Sequence, residues 1–246
     1  GLMCAFDEVL MGQSTDLNNA KLGIGRAEQD EWAAASHDRA IAAADSGAFD
    51  AEIVAVEVPQ RRGDPVVIGR DEGMRPGTTT ETLGNLRAAF LADGTVTAGN
   101  ASQISDGAAA LVVADRSAAE ELGMPVVAEV LSYGQTAGPD TSLQAQPANA
   151  IRIALDKVGF DVADLDLIEI NEAFAAVSLY SANILGVSHD RVNVNGGAVA
   201  LGHPLGASGA RIVVTLISAL KARGGGIGAA ALCGGGGQGD ALIVRV

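Results

Sequence analysis

The residues best equipped for chemistry lie in the last third of a 246-residue chain. Asn171 opens the peptide Asn171-Glu172-Ala173-Phe174, and His203 stands in Gly202-His203-Pro204-Leu205-Gly206-Ala207-Ser208-Gly209. Cys233 precedes four glycines, Gly234 to Gly237. Each side chain sits on a tight backbone segment beside an apolar run. An amide, an imidazole and a thiol suit carbon–carbon bond chemistry on an activated acyl group, because the last two can take and return protons.

Each of these residues also has a purely structural reading. Cys233 closes an apolar strand, where a small buried hydrophobe is the common fate of a lone cysteine. The glycines after it clear space around the sulfur and equally fit a nucleophile or an acid–base group. His203 could be a turn residue bonded to a neighbouring carbonyl, but Pro204 removes a donor and the nearby glycines leave the helix start open, which favours a ring aimed into a cleft. Asn171 can cap the helix that follows it or hold a catalytic water. Gly234, Gly236 and Gly239 spell G-x-G-x-x-G, yet a terminal strand follows instead of a helix, so a dinucleotide site is rejected. A turn whose backbone N–H groups face a ligand fits better. Cys4 reads as structural, and His37 and His189 as surface residues.

The elements that must position these groups follow from periodicity. Residues 1–103 read as a loose α+β region, with helices over Gln29–Ser46 and Thr80–Phe90 and a strand over Ile53–Val58. After Gly107 the pattern alternates. Strands are predicted over Ala108–Ala114, Val126–Tyr133, Leu165–Ile170, Val192–Val194, Ile227–Leu232 and Ala241–Val246. Helices are predicted from a capping box at Ser117-Ala118-Ala119-Glu120 and over Pro147–Val158, Glu172–Leu185 and Ser208–Arg223. This order predicts an α/β fold, a mixed sheet with helices on its faces, in which functional groups gather at strand ends and helix starts.

Composition bounds the rest. With 48% hydrophobic and 19% charged residues a packed core is available, and the length allows one large domain or two moderate ones. No apolar run approaches the roughly 18–20 residues of a membrane span. A net charge of −14 argues against nucleic acid or an anionic membrane as partner. Two cysteines and three histidines, all scattered, show neither a disulfide framework nor metal-ligand spacing, and a reducing, cytoplasmic setting is the default.

Taken together the three peptides resemble the thiolase family of coenzyme A acyltransferases, which shows an Asn-Glu-Ala-Phe motif, a Gly-His-Pro motif followed by Gly-x-Ser-Gly, and a C-terminal Cys before a glycine turn, in that order. Glu28-Gln29-Asp30-Glu31, the stretch Gly94 to Ser102 and the stretch Val192 to Gly197 are also thiolase-like. The resemblance implies a thiolase-like fold with a mixed five-stranded sheet, helices on both faces and an α+β loop domain. It divides the chain into a loop domain (1–103), the last strand and helix of the N-terminal half (104–125) and a C-terminal domain (126–246).

It further implies Claisen condensation or thiolytic cleavage of 3-ketoacyl-CoA. His203 would activate the acyl-accepting cysteine, Asn171 would hold an oxyanion-site water, Cys233 would serve as acid–base, and the Gly235 N–H would belong to a second oxyanion hole. Arg75 and Ser102 match positions that contact coenzyme A, and Phe90 lies in the same loop region. Coenzyme A or acyl-CoA is a substrate, with no permanently bound cofactor and no metal. A homo-oligomer, dimer or tetramer, is implied.

Two departures stand out. The family's acyl-accepting cysteine lies in an N-terminal segment that has no match here, and Cys4 does not fill the gap. The chain is therefore expected to need a missing N-terminal half as partner and, alone, to expose a large apolar patch. The alternative is a non-catalytic CoA-binding or interaction subunit. Leu10-Met11 also replaces the family's His-Met, near the expected pantetheine and acyl positions.

Overall fold

The computed structural model describes residues 2–246. Helices α1 (Met11–Leu22) and α2 (Arg26–Ser46) come first, then a small antiparallel pair, β1 (Val56–Val58) and β2 (Val66–Ile68), and a short helix α3 (Thr80–Gly84). Helix α4 covers Arg116–Glu121. The remainder alternates: β3 (Glu129–Ala137), α5 (Gln146–Asp156), β4 (Leu167–Ile170), α6 (Ala175–Leu185), α7 (Ala198–Leu201), α8 (Ser208–Ala222), β5 (Ile227–Gly234) and β6 (Gln238–Arg245).

The main sheet has the order β3-β6-β5-β4, with β4 and β5 parallel and the other neighbours antiparallel. It is mixed, as expected, with four strands among the described residues where five were expected. Strand alternation divides its side chains between two cores. Ile168, Ile170, Ala229, Ala231 and Ile243 pack toward α5 and α6, and Leu167, Ala230 and Val244 pack against Ile212, Leu216 and Leu220 of α8.

Several local expectations are corrected. Ala108–Ala114 forms no strand, and Val112 and Val113 are 81% exposed. The run has the composition of a buried strand, but no strand lies beside it among the described residues to satisfy its backbone. The helix expected through Phe90 stops at Gly84, and Ala88 instead pairs with Thr97. Val192–Val194 makes one bridge, to Ile168, because Asn193 takes φ 49° and substitutes its side chain for the ladder. Asn193 Oδ1 accepts from Ile170 N at 2.8 Å, and its Nδ2 donates to Ile170 O at 2.8 Å.

Helix α1 had no apolar period to announce it, since the face it buries is polar: Ser14, Thr15, Asp16, Asn18 and Asn19. Asn19 donates to Gln29 Oε1 (3.3 Å) and accepts from Gln144 Nε2 (2.8 Å), so a buried amide chain fastens α1 and α2 to the start of α5. Asp16 Oδ1 accepts from the backbone N–H groups of Thr95 (2.7 Å) and Val96 (2.8 Å). His37 is buried rather than at the surface, its Nδ1 accepting from Arg75 N at 3.2 Å, whereas His189 is exposed as expected.

Candidate functional site

Parallel pairing of β4 and β5 brings their carboxyl ends to one edge of the sheet. Asn171 directly follows β4, its N–H donating to Ala231 O at 2.9 Å, and Cys233 lies near the end of β5. Such strand ends are where an open α/β sheet presents its reactive groups. Asn171 does not cap the next helix: α6 begins at Ala175, and Phe174 occupies the cap position.

His203 reaches this edge from the turn between α7 and α8. Its backbone N–H donates to Gln103 O at 3.0 Å. The ring is held from both sides, with Nε2 3.3 Å from Asn171 Nδ2 and Nδ1 2.6 Å from Ser208 Oγ. Ser208 donates to Pro204 O at 3.0 Å, so its oxygen is left to accept from Nδ1–H. The Asn171 amide N–H then faces an unprotonated Nε2. This tautomer is assigned from the surrounding donors and acceptors. Burial, followed by the nearby Arg211 charge, lowers the imidazole's pKa below its ordinary value and favours the neutral ring at pH 7. Asn171 Oδ1 is buried and accepts no hydrogen bond from the chain.

Cys233 opens the glycine hairpin between β5 and β6. Burial pushes its thiol up to about 12, so it rests protonated. Gly236 and Gly237 take φ 84° and 75°, and a Cβ on Gly237 would stand 1.9 Å from Asp140 O, which explains why glycine is needed at the tip. A Cβ on Gly235 would meet Met11 Sδ at 3.7 Å, placing the hairpin beside α1. Met11, Ala173 and Phe174 form a buried apolar cluster with Cys4, and Cys233 packs against it.

The other expected site residues are spread around this centre. Ser102 runs alongside the Asn171 motif, its N–H donating to Ala173 O at 3.1 Å while the adjacent Ala101 pairs with Phe174. Phe90 lies across α1, its ring occupying the space a Cβ on Gly12 would need. Arg75 is exposed on the 71–78 loop, and among the described residues its side chain makes no hydrogen bond to Asn171, His203 or Cys233. The structure thus joins Asn171 to His203, sets Cys233 and Gly235 on the neighbouring strand end, and leaves Arg75 at the periphery.

Four further residues shape the site. Ser208 was legible only as part of a glycine-rich phrase, and the five-residue interval from His203 was its one signal. Glu172 is 1% exposed and accepts from Trp32 Nε1 (2.9 Å), Ser36 Oγ (2.6 Å), Asn193 Nδ2 (2.9 Å) and Val199 N (3.0 Å). It pins α2 and the 193–199 turn to the residue after Asn171. Arg211 and Glu169 lie behind His203, with Arg211 Nη1 3.5 Å from Glu169 Oε2.

Burial raises the Glu169 carboxyl from 4.5 to about 8. A folded-state value above the unfolded one means that the native state binds the extra proton. Stability from this group is therefore full below pH 4.5 and declines as pH rises through 8. Thermal melts should show a lower Tm at pH 8.5 than at pH 5.5, and Glu169→Gln should flatten that difference. An unchanged slope in the variant would assign the trend to other groups.

The family model described as "Thiolase, N-terminal domain" matches residues 1–117, and "Thiolase, C-terminal domain" matches residues 124–246. The chain is 54% identical over 245 residues to a probable acetyl-CoA acetyltransferase of Mycolicibacterium smegmatis, covering 100% of this chain and 63% of the relative. A crystal structure of the Bacillus anthracis acetyl-CoA acetyltransferase superposes with a TM-score of 0.94 at 42% identity, over 99% of this chain and 62% of that one. Human mitochondrial 3-ketoacyl-CoA thiolase superposes with a TM-score of 0.89 at 36% identity, over 99% and 61%. The chain thus spans under two thirds of the length of each of these proteins.

Proposed function

Because the chain belongs to the thiolase family, we propose that it supplies the loop region and C-terminal half of an acetyl-CoA acyltransferase, which condenses or thiolytically cleaves CoA thioesters together with the N-terminal segment that its relatives carry. The observation that carries this reading is the Asn171–His203–Ser208 chain of contacts at the carboxyl end of β4, beside the Cys233 hairpin at the end of β5.

The chemistry follows from those atoms. His203 Nε2 takes the proton of a nucleophilic thiol supplied by the N-terminal segment, and the thiolate adds to the thioester carbonyl. The new imidazolium N–H then faces the developing oxyanion. Asn171 Oδ1, an acceptor free within the chain, holds a water whose second hydrogen also reaches that oxygen. The tetrahedral adduct collapses, and coenzyme A leaves with the proton from His203. In the second stage Cys233, after losing its thiol proton to solvent, takes the α-proton of acetyl-CoA as the thiolate. The Gly235 N–H stabilises the enolate oxygen, and the carbanion displaces the enzyme sulfur from the acyl group as a thiolate, which is reprotonated from solvent. Run backward, the resting Cys233 thiol returns the proton to the enolate.

Ser102 and Arg75 are proposed to contact coenzyme A and Phe90 to flank it, with no resident cofactor. Both cysteines are unpaired, which suits a reducing compartment such as the cytoplasm. No helix among the described residues is long and apolar enough to cross a membrane. We expect the assembled enzyme to be a homo-oligomer of dimeric or tetrameric order.

Two surfaces fit the N-terminal segment. The extended run around Val112 and Val113 presents strand-forming residues without a neighbour. A groove of about 350 Å³ between α8 and β3–β6 is lined by Tyr133, Ile212, Val213, Leu232 and Leu242. Coexpression with the N-terminal third of the M. smegmatis relative tests the proposal. A copurifying complex that cleaves acetoacetyl-CoA in the presence of coenzyme A is the expected result. A stable complex that binds coenzyme A without turnover would instead establish the non-catalytic subunit.

A further inference from the structure

We infer that Arg211 is a positioning residue for His203, acting through α8 and through its charge, with the buried Glu169 carboxyl beside it. The inference rests on His203 being the base proposed above.

The placement comes from two periodicities. Asn171 and Glu169 are two residues apart at the end of one strand and so share a face. Ser208 and Arg211 are three apart in the first turn of α8 and also share a face. Asn171 and Ser208 grip the two nitrogens of the His203 ring. Directly behind them, Glu169 and Arg211 approach to 3.5 Å. A second layer thus spans the same strand and helix as the first. One turn further along α8, Thr215 Oγ1 donates to Glu52 Oε1 at 3.2 Å, which carries the stack into the loop region.

This layer is poorly built for stability alone. Both Nη atoms of Arg211 are buried and donate no hydrogen bond, and Glu169 Oε2 and Glu52 Oε2 are buried without a donor. A buried guanidinium beside a carboxyl that burial keeps protonated, with unsatisfied atoms on both, is weak evidence of stabilisation. Its position behind the imidazole supplies another role. A guanidinium there disfavours a second cation on the ring, which keeps Nε2 unprotonated at rest.

The charged groups facing this layer come from four segments: Glu169 from β4, Glu172 beyond it, Glu52 after α2 and Asp71 after β2. Burial raises Glu169, Glu52 and Asp71 above the ordinary carboxylate range. Glu169 is protonated at pH 7, so from that side the Arg211 charge is not cancelled.

The test uses this chain, labelled at histidine, in complex with the N-terminal segment of the relative. Only three histidines need assignment. Arg211→Gln should raise the His203 titration midpoint by about half a pH unit or more and lower kcat about 10–100-fold with little change in KM. Arg211→Lys, which keeps the charge, should return the midpoint toward that of the parent chain. Glu169→Gln should leave it unmoved between pH 6 and 7, where Glu169 carries no charge.

An Arg211→Gln complex that loses Tm or activity with the His203 midpoint in place would reduce Arg211 to a packing role and overturn the inference. If that variant does not fold, Arg211→Met, which keeps the length and drops the charge, decides: it should raise the midpoint, and a fixed midpoint overturns the inference. A complex without turnover would sink the enzymatic reading alone, because the titration is read independently of activity.

Discussion

Cys233→Ala, in the complex of this chain with the N-terminal segment, is expected to lower both condensation and thiolysis by about 10²–10⁴-fold, the usual contribution of a positioned acid–base group. Cys233 sits next to the hairpin glycines and packs against the cluster of Cys4, Met11, Ala173 and Phe174. Burial holds its thiol near 12, so it carries its proton at rest but is a weaker acid than an ordinary thiol and no base until that proton is lost. The condensation direction therefore requires the bound thioester or the N-terminal segment to lower that value.

Acyl transfer to the nucleophile should behave differently. That step uses His203 and Asn171, so exchange of labelled coenzyme A into acyl-CoA should persist in Cys233→Ala and fall sharply in His203→Ala. Full turnover in the Cys233 variant would remove the acid–base role. Loss of exchange along with turnover would mean that the substitution has disturbed the site as a whole.

Glu172→Ala should be the most damaging substitution for stability, by about 4 kcal/mol or more, because it strands several buried donors around one missing carboxylate. Trp32, Asn193 and Val199 would each keep a buried N–H without an acceptor, and Ser36 would lose a 2.6 Å contact. At about 2–4 °C per kcal/mol for a chain of this size, Tm should drop on the order of 10 °C.

Glu172→Gln should be nearly as harmful. Oε1 accepts from the Trp32 and Asn193 N–H groups, and Oε2 accepts from the Val199 N–H, so either placement of the new NH₂ sets donor against donor. A glutamine variant that melts with the parent chain would show that the carboxylate is dispensable. Because Glu172 adjoins Asn171, its loss should also loosen the His203 contact before the chain unfolds globally.

Helices with an apolar stripe were the most legible part of the fold. Pro147–Val158 and Ser208–Arg223 were placed within two residues of the helices Gln146–Asp156 and Ser208–Ala222. The strands of the C-terminal sheet were located with shifts of a few residues, since alternation marks a strand better than its ends. Helix α1 was invisible because it buries amides and hydroxyls, which read as surface. Ala108–Ala114 failed in the opposite way: its composition suits a strand, but strand formation needs a neighbour that composition cannot supply.

The chemical inventory was set by the sequence alone: which amide, imidazole and thiol stand on glycine-rich turns, and which family those phrases resemble. Local patterns suffice for that, because a motif is a run of neighbours. Tertiary structure decided how the groups meet. Ser36 and Glu172 are 136 residues apart and Trp32 and Glu172 are 140 apart, yet they share one buried carboxylate. The parallel register of β4 with β5 sets Asn171 beside the Cys233 strand, and the α7–α8 turn brings His203 to Asn171. Burial then makes the imidazole less basic and the Cys233 thiol less acidic. Helical and strand periods record which face of an element is buried. They carry no information about which distant donor will find an acceptor there, and that choice is made only when the layers close.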